Sequence, residues 1–346
     1  MSIARVTQRD IASAAGVHVT TVSLALRNHP ALPVTTRKRI QEIAERMGYR
    51  PDPMLSALWA YRKLAKPVLH PLTLGYLTAW PTREGWKEKQ ALLRMYEGAK
   101  SHARHLGYEF EHYWLRQPGM TAKRWNKIFQ TRNLSGMIVA HLPIGRGHLR
   151  LDWERFSAVR IDPPLIWPRL HSVGNNQYSC MQVAYRGAWH HGYRRIGCAM
   201  TQINNERVDM LWSAGFLTEQ LRHQIESTIP LLINREWNLK VFEKWFLHNQ
   251  PDVIISAHLE IFEWLKEMGL KVPKDVGFID LDCMDVSGVR AGVQQNHEKV
   301  GAVAIEVLAR MIQQNERGIP EVPQTILLDG SWVEGATVRK APVIKA

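Results

Sequence analysis

The apolar positions of the first fifty residues fall on helical spacing. Ile11, Ala12 and Ala15 make one short set and Val19, Val22 and Leu26 a second, with the single Gly16 between them. Neither set has enough apolar surface for a core of its own. Ile40, Ile43, Ala44 and Met47 then repeat at i, i+3, i+4 and i+7, the spacing of one buried helix face. Two short helices set at an angle on this third one share a core and leave one of the pair turned outward. Thr7 is expected to cap the first helix and Thr35 the third, with Gly48 just past the third's end in a left-handed conformation. Three helices in about 50 residues is the build of a helix-turn-helix DNA-binding domain.

Residues 49–71, YRPDPMLSALWAYRKLAKPVLHP, read as a connector. Pro51 and Pro53 end the third helix, and Pro67 and Pro71 prevent continuation into the next element. The intervening MLSALWAYRKLA is long enough for about two or three helical turns but has little to bury against, so it orders only when another surface is supplied. From residue 72 short apolar runs alternate with amphipathic stretches. Strands are expected at 72–77, 109–115, 135–142, 195–200, 229–234, 252–258 and 275–282, and helices at 87–106, 206–224, 238–248, 259–268 and 297–315. Such alternation makes parallel sheets covered by helices on both faces. Seven or more units are too many for one compact sheet of this kind. The expected fold class is therefore α/β: a three-helix headpiece and a two-lobed body, with ligand in the cleft at the carboxyl ends of the strands. The expected domains are 1–50, 51–71 and 72–346.

Charge changes the picture. Of the +13 net charge, +7 falls in residues 1–66, which hold eleven Lys or Arg and four Asp or Glu; the remaining 280 residues carry +6. A basic end on a nearly balanced body is the footprint of nucleic-acid contact. No apolar run approaches a membrane span, and the start, MSIARVTQRD, has no signal-peptide core, so a cytoplasmic chain without a membrane partner is expected. Cys180, Cys198 and Cys283 show neither metal nor disulfide spacing and read as reduced thiols. The chain has no GxSxG, GxxxxGKS/T or HExxH motif. His102, His105, His112, His190 and His191 lack companions at zinc-site spacing and are expected on helix surfaces. No catalytic residue, metal or cofactor is expected, and the chain is not read as an enzyme.

The stretch VTQRDIASAAGVHVTTVSLALRN, followed by TTRKRIQEIAERMGYRPDP, closely resembles the headpiece and hinge of the LacI/GalR family of bacterial transcriptional regulators. GYRRIGCAM, PDVIISAH, KVPKDVGFIDLD and VQQNHEKVGAVAIEVLARMI follow in that family's order and spacing, so the resemblance spans nearly the whole chain. It implies a homodimer on double-stranded operator DNA, a body of periplasmic-binding-protein fold and a small-molecule, carbohydrate-derived effector. The implied function is a ligand-responsive, sequence-specific repressor of carbohydrate-related genes. The alternative is a solute-sensing module of the same fold with weak or non-specific DNA binding.

Carried onto this chain, the resemblance sets Val19, Thr20 and Leu24 against the major groove, with Thr7, Thr21, Ser23 and Asn28 positioning the phosphate backbone. Leu24 stands where members usually carry a polar or basic base-reader. Without an Arg–guanine pair, about 1–3 kcal/mol of discrimination per missing bidentate contact has to come from elsewhere. The hinge is the source the resemblance suggests. Leu58 matches a lever that wedges between base pairs in the minor groove, and Leu55 lies one turn earlier.

In the body, Trp237 matches an aromatic that some members set against ligand. Asp282 and Gln295 match polar positions at a strand end and near a lobe crossover, and Trp80 follows the first strand at the expected cleft mouth. His258, with Ala257, replaces the usual Asn-Asp pair; Met210 and Trp212 replace the usual arginines, one of which grips ligand; Glu334 stands where a basic residue is common. With that arginine gone, the expected effector is not a plain hexose but a larger or less polar carbohydrate derivative, modified or oligomeric, with a nucleobase-like ring as second choice.

A fragment lacking residues 1–66 is expected to stay folded and dimeric, because the body has its own alternating core, and to lose DNA binding. Circular dichroism, sedimentation and a gel-shift assay check the three parts. Retained operator affinity would contradict the assignment of DNA binding to this end.

Overall fold

The computed structural model describes residues 6–26, 28–29, 31–49, 72–142, 147–162, 165–224 and 228–341. The headpiece contains α1 (Gln8–Ala15), α2 (Val19–Leu26) and α3 (Val34–Arg46). Thr7 caps α1 reciprocally: its hydroxyl accepts from the Asp10 amide, and its own amide donates to Asp10 Oδ2 at 2.7 Å. Gly16 ends α1 at φ +65°, which a side chain would resist, and this left-handed residue turns the chain into α2. Ile11, Val22, Ala25 and Ile40 are fully buried in the shared core. The start of α3 differs from expectation. Pro33 is its N-cap and Thr35 lies inside the first turn, because the proline, fixed at φ −55°, already turns the chain into the helix without a side-chain cap. Gly48 has φ +69°, as its place past the helix end requires.

The body has two six-stranded sheets. The first comprises β1 (Thr73–Thr78), β2 (Glu109–Trp114), β3 (Gly136–Val139), β5 (Ser157–Ile161), β7 (His171–Asn175) and β13 (Thr325–Leu328), all parallel, in the order β13-β7-β5-β3-β1-β2. The second comprises β8 (Ile196–Thr201), β9 (Leu232–Asn234), β10 (Val253–Ser256), β11 (Gly277–Asp280), β12 (Ala291–Gln294) and β14 (Ser331–Val333), in the order β14-β12-β11-β10-β8-β9, with only β14 antiparallel. Between β3 and β5 lies β4 (Gly147–His148), and between β5 and β7 lies β6 (Leu165–Trp167); these two pair as a small ribbon. The covering helices are α4 (Gln90–His105), α5 (Ala122–Thr131), α6 (Gln177–His190), α7 (Gln202–Arg207), α8 (Leu211–Arg222), α9 (Leu239–Asn249), α10 (Ile261–Glu267) and α11 (His297–Gln314).

The seven expected strands all form. Of the strands not anticipated, β6 and β13 carry short apolar runs, whereas β7 lacks one. β7 reads HSVGN, yet it is central and buried: His171 meets Glu316 Oε1 at 2.7 Å, and Ser172 donates to Thr325 Oγ1 at 3.0 Å. His171 and Ser172 are tolerated there because each has a partner. The helix expected over 206–224 is broken into α7 and α8 by Asp209 and Met210, both left-handed at φ +54° and +61°. The histidines also differ from expectation. His112 is half-buried on β2, 2.7 Å from Thr78 Oγ1, and His191 is buried with Nε2 3.1 Å from Glu334 Oε2. That contact, with the Trp332 Nε1 bond to Glu334 at 2.8 Å, accounts for an acid at this position.

The chain passes between lobes three times, at 175–177, 294–297 and 328–331. The second passage sends α11 back onto the first lobe, where it crosses α4 backbone to backbone. A Cβ on Gly98 would collide with the Glu298 carbonyl, and one on Gly301 with the Met95 carbonyl. Gly301→Val is therefore expected to destabilise the body by about 1–3 kcal/mol or more, since neither helix can retreat without disturbing its own sheet. Thermal unfolding of the variant against Gly301→Ala, with the smaller intrusion and a smaller loss, checks this.

Candidate DNA-reading face and effector cleft

On α2, Val22 and Ala25 face inward, so Thr20 is exposed and Thr21, Ser23 and Leu24 are half-buried on the outer side. Val19 is half-buried and packs against the headpiece core, while Thr20 Oγ1 lies 2.8 Å from His18 Nδ1. Thr7 uses its hydroxyl in the cap, 2.7 Å from Asp10 Oδ2. Asn28 is exposed at φ +52° and is held by α3: Gln41 Nε2 donates to its Oδ1 at 2.7 Å and Arg37 Nη1 to its carbonyl at 2.8 Å. Leu55 and Leu58, with the whole connector, lie outside the described residues.

The three interlobe passages are knitted by side-chain amides. Asn175 Nδ2 donates to the Gln295 carbonyl, Asn176 Nδ2 to Asp329 Oδ1 at 2.8 Å, and Asn296 Nδ2 to the Asp329 carbonyl at 3.1 Å. Gln295 is buried. Its Nε2 donates to the Leu281 carbonyl at 2.8 Å and its Oε1 accepts from Gln177 Nε2 at 3.1 Å. The same Gln177 accepts from Trp212 Nε1 at 2.7 Å. Gln295 therefore acts first as part of this clasp, with Trp212 tied into it from α8.

Around the clasp stand the strand ends of both lobes. Trp80 follows β1, where its indole donates to the His141 carbonyl at 3.1 Å and its carbonyl accepts from Trp114 at 2.7 Å. Trp237 and His258 come together in the second lobe, with rings 4.5 Å apart. Both contact Glu260 Oε1, Trp237 Nε1 at 2.7 Å and His258 Nδ1 at 3.0 Å, while His258 Nε2 lies 3.0 Å from Asn204 Nδ2. That pattern places the proton on Nδ1, and burial holds the imidazole below its ordinary pKa and hence neutral. Asp282 Oδ1 lies 2.7 Å from His297 Nε2, on the first turn of α11.

Three further residues were not legible as site residues. Asp162 follows β5 in the left-handed region at φ +53°, with Oδ1 accepting from the Asn175 amide at 3.2 Å. Burial pushes its carboxyl up to about 6, against the opposing charge of Arg207. His141, following β3, is 6% exposed; its Nδ1 has no hydrogen-bond partner among the described residues, and burial takes its pKa down to about 3. Arg207 ends α7, its guanidinium 5.8 Å over the Trp212 ring. Its charge bears on His141 and Asp162 across the gap and on His258 in its own lobe. The expected loss concerned the positions of Met210 and Trp212, and the structure adds Arg207 beside Trp212. Trp212 takes the helix position, but the break at 209–210 lets Arg207, five residues earlier, present the guanidinium.

Residues 7–52 match the family model for bacterial regulatory proteins of the lacI family, and residues 186–338 match that for the periplasmic binding protein-like domain. The chain thus carries a lacI-family regulatory domain followed by a periplasmic binding protein-like domain. It is a transcriptional regulator that joins a helix-turn-helix DNA-binding headpiece to a periplasmic-binding-protein-like body. The chain is 25% identical over 324 residues to the HTH-type transcriptional regulator PtxS of Pseudomonas plecoglossicida, covering 89% of this chain and 90% of that one. Its fold is similar to that of the lac repressor dimer bound to operator and an anti-inducer, with a TM-score of 0.57, 18% identity and coverage of 97% and 100%. It is also similar to the transcriptional regulator CelR in complex with cellobiose, with a TM-score of 0.58, 15% identity and coverage of 96% and 100%. Among the described residues no helix is long and apolar enough to cross a membrane.

Asp162 makes a pH prediction. Its folded pKa lies above the ordinary carboxyl value of 3.8, so the folded state holds this proton more tightly than the unfolded chain. Its contribution to stability is present at low pH and lost as pH rises through about 6. Asp162→Asn is accordingly expected to raise the melting temperature at pH 7.5 and to lose that advantage at pH 4. An equal shift at both pH values would show that the carboxyl is not held in this way.

Proposed function

We propose that this regulator is a homodimeric, cytoplasmic repressor of carbohydrate-related genes, released from or fixed to its operator by a modified carbohydrate in the interlobe cleft. The observation that carries it is the union, in one chain, of an outward α2 face and a two-lobed body whose strand ends converge on a polar clasp. Residues 1–50 act as the headpiece, 51–71 as hinge and linker, and 72–346 as the effector and dimerisation domain. Thr20, Ser23 and Leu24 share the outer side of α2. Hydroxyls suit phosphate oxygens, and the Val19, Thr20 and Leu24 methyl groups suit thymine methyls. Thr7, Thr21 and Asn28 border this face, and Leu55 and Leu58 form the minor-groove wedge. In the cleft, Trp80, Trp237, His258, Asp282 and Gln295 hold the effector. The similar lac repressor structure is a dimer on operator, and the similar CelR structure holds cellobiose, which supports both halves of the proposal. Effector acts through unequal affinity for the open and closed lobe arrangements, and the hinge responds to that shift.

Selection of bound fragments from genomic DNA is expected to return one palindromic site rather than uniform, salt-sensitive binding. On that site Leu58→Ala should weaken binding at least ~10-fold while leaving random DNA nearly unaffected, because only the specific complex contains the kink. Equal losses on both would remove Leu58 from the operator contact.

A further inference from the structure

We infer that the effector is a sugar acid, its carboxylate received by Arg207; this rests on the proposal that the interlobe cleft is an effector site. The acids around the cleft are already engaged by the protein's own donors. Glu260 accepts from Trp237 and His258 at 2.7 and 3.0 Å, Asp282 lies 2.7 Å from His297 Nε2, and Asp280 Oδ2 lies 3.1 Å from Arg290 Nε. Each therefore already has an internal partner for part of its charge. Arg207 is the opposite case. It is exposed, has no ion pair or hydrogen bond to any described residue, and is steadied only by the Trp212 ring. A guanidinium presents a planar fork of N–H donors that a carboxylate meets bidentately.

The opposite wall supplies the second requirement. His141, 6% exposed, has no partner for Nδ1 among the described residues, and a buried polar atom left unpaired costs about 1–3 kcal/mol. A sugar hydroxyl satisfies such an atom whichever tautomer the ring adopts. A cation on one lobe and an unmet polar atom on the other describe a molecule with an acid at one end and hydroxyls at the other. A phosphate ester is the other source of negative charge. A single fork neutralises one carboxylate, whereas a phosphate dianion would keep a full uncompensated charge beside it.

Titration calorimetry of the full-length protein with D-glucuronate, D-galacturonate and D-gluconate, against glucose, galactose, cellobiose and glucose 6-phosphate, tests this. At least one acid is expected to bind, and its neutral counterpart to bind at least ~30-fold more weakly. Arg207→Gln should cost the acid at least ~10-fold and the neutral sugar less than ~3-fold, with Arg207→Lys intermediate. A neutral sugar or the phosphate ester binding more tightly than every acid, none of the acids binding, or equal losses in Arg207→Gln for acid and neutral ligands would each overturn the inference. A gel shift of the ligand-free wild-type protein on its selected site is run alongside. Failure of the acids with the shift intact overturns the sugar acid alone, while absence of the shift overturns the proposed repressor.

Discussion

Two lobes joined by three short passages of chain hold their geometry only if those passages cannot slip past one another. Buried amides impose that condition here. Asn175 and Gln295 are 3% and 2% exposed, and Gln295 meets a donor or acceptor on each of its polar atoms. In such a setting a one-residue slip would strand several buried polar groups, at about 1–3 kcal/mol each. Any relative movement of the lobes has to pivot about this clasp. The register of β13 on β7, the return of α11 onto α4, and the placement of Asp282 against His297 all follow from it.

Because the clasp lies at the carboxyl ends of both sheets, whatever the strand ends carry is gathered around it. Parallel strands in both lobes aim those ends the same way, which is why polar residues scattered along the sequence become neighbours. The gathered set is asymmetric in charge. Its carboxylates have internal partners, while among the described residues the Arg207 guanidinium has only an aromatic face beside it.

The headpiece has a different economy. Its core is a handful of aliphatic side chains, with one reciprocal cap and one left-handed glycine setting the turn. Its outward face has hydroxyls and methyls where bidentate donors would read guanine. In the proposed DNA-binding role such a face would position the protein on the backbone and meet thymine methyls, and specificity would lean on the deformability of the DNA more than on direct contacts.

The headpiece was legible in the linear sequence because its determinants are local: helical spacing at Ile40 to Met47, a cap at Thr7, a glycine at 16. The apolar strands of the body were legible for the same reason, whereas the contact of Trp237 with His258 appears only in the fold. The polar strand β7 was not, because its side chains are tolerated only by partners about 150 residues away in the chain, Glu316 and Thr325. Pro33 displaced Thr35 as the start of α3 through a backbone restriction that a capping pattern does not show. Arg207, Asp162 and His141 were silent in the sequence, since no spacing relates residues from three elements in two lobes. Only the tertiary structure decided them. Desolvation and long-range charge depend on what surrounds an atom in space, and that is set once the sheets have closed around the clasp.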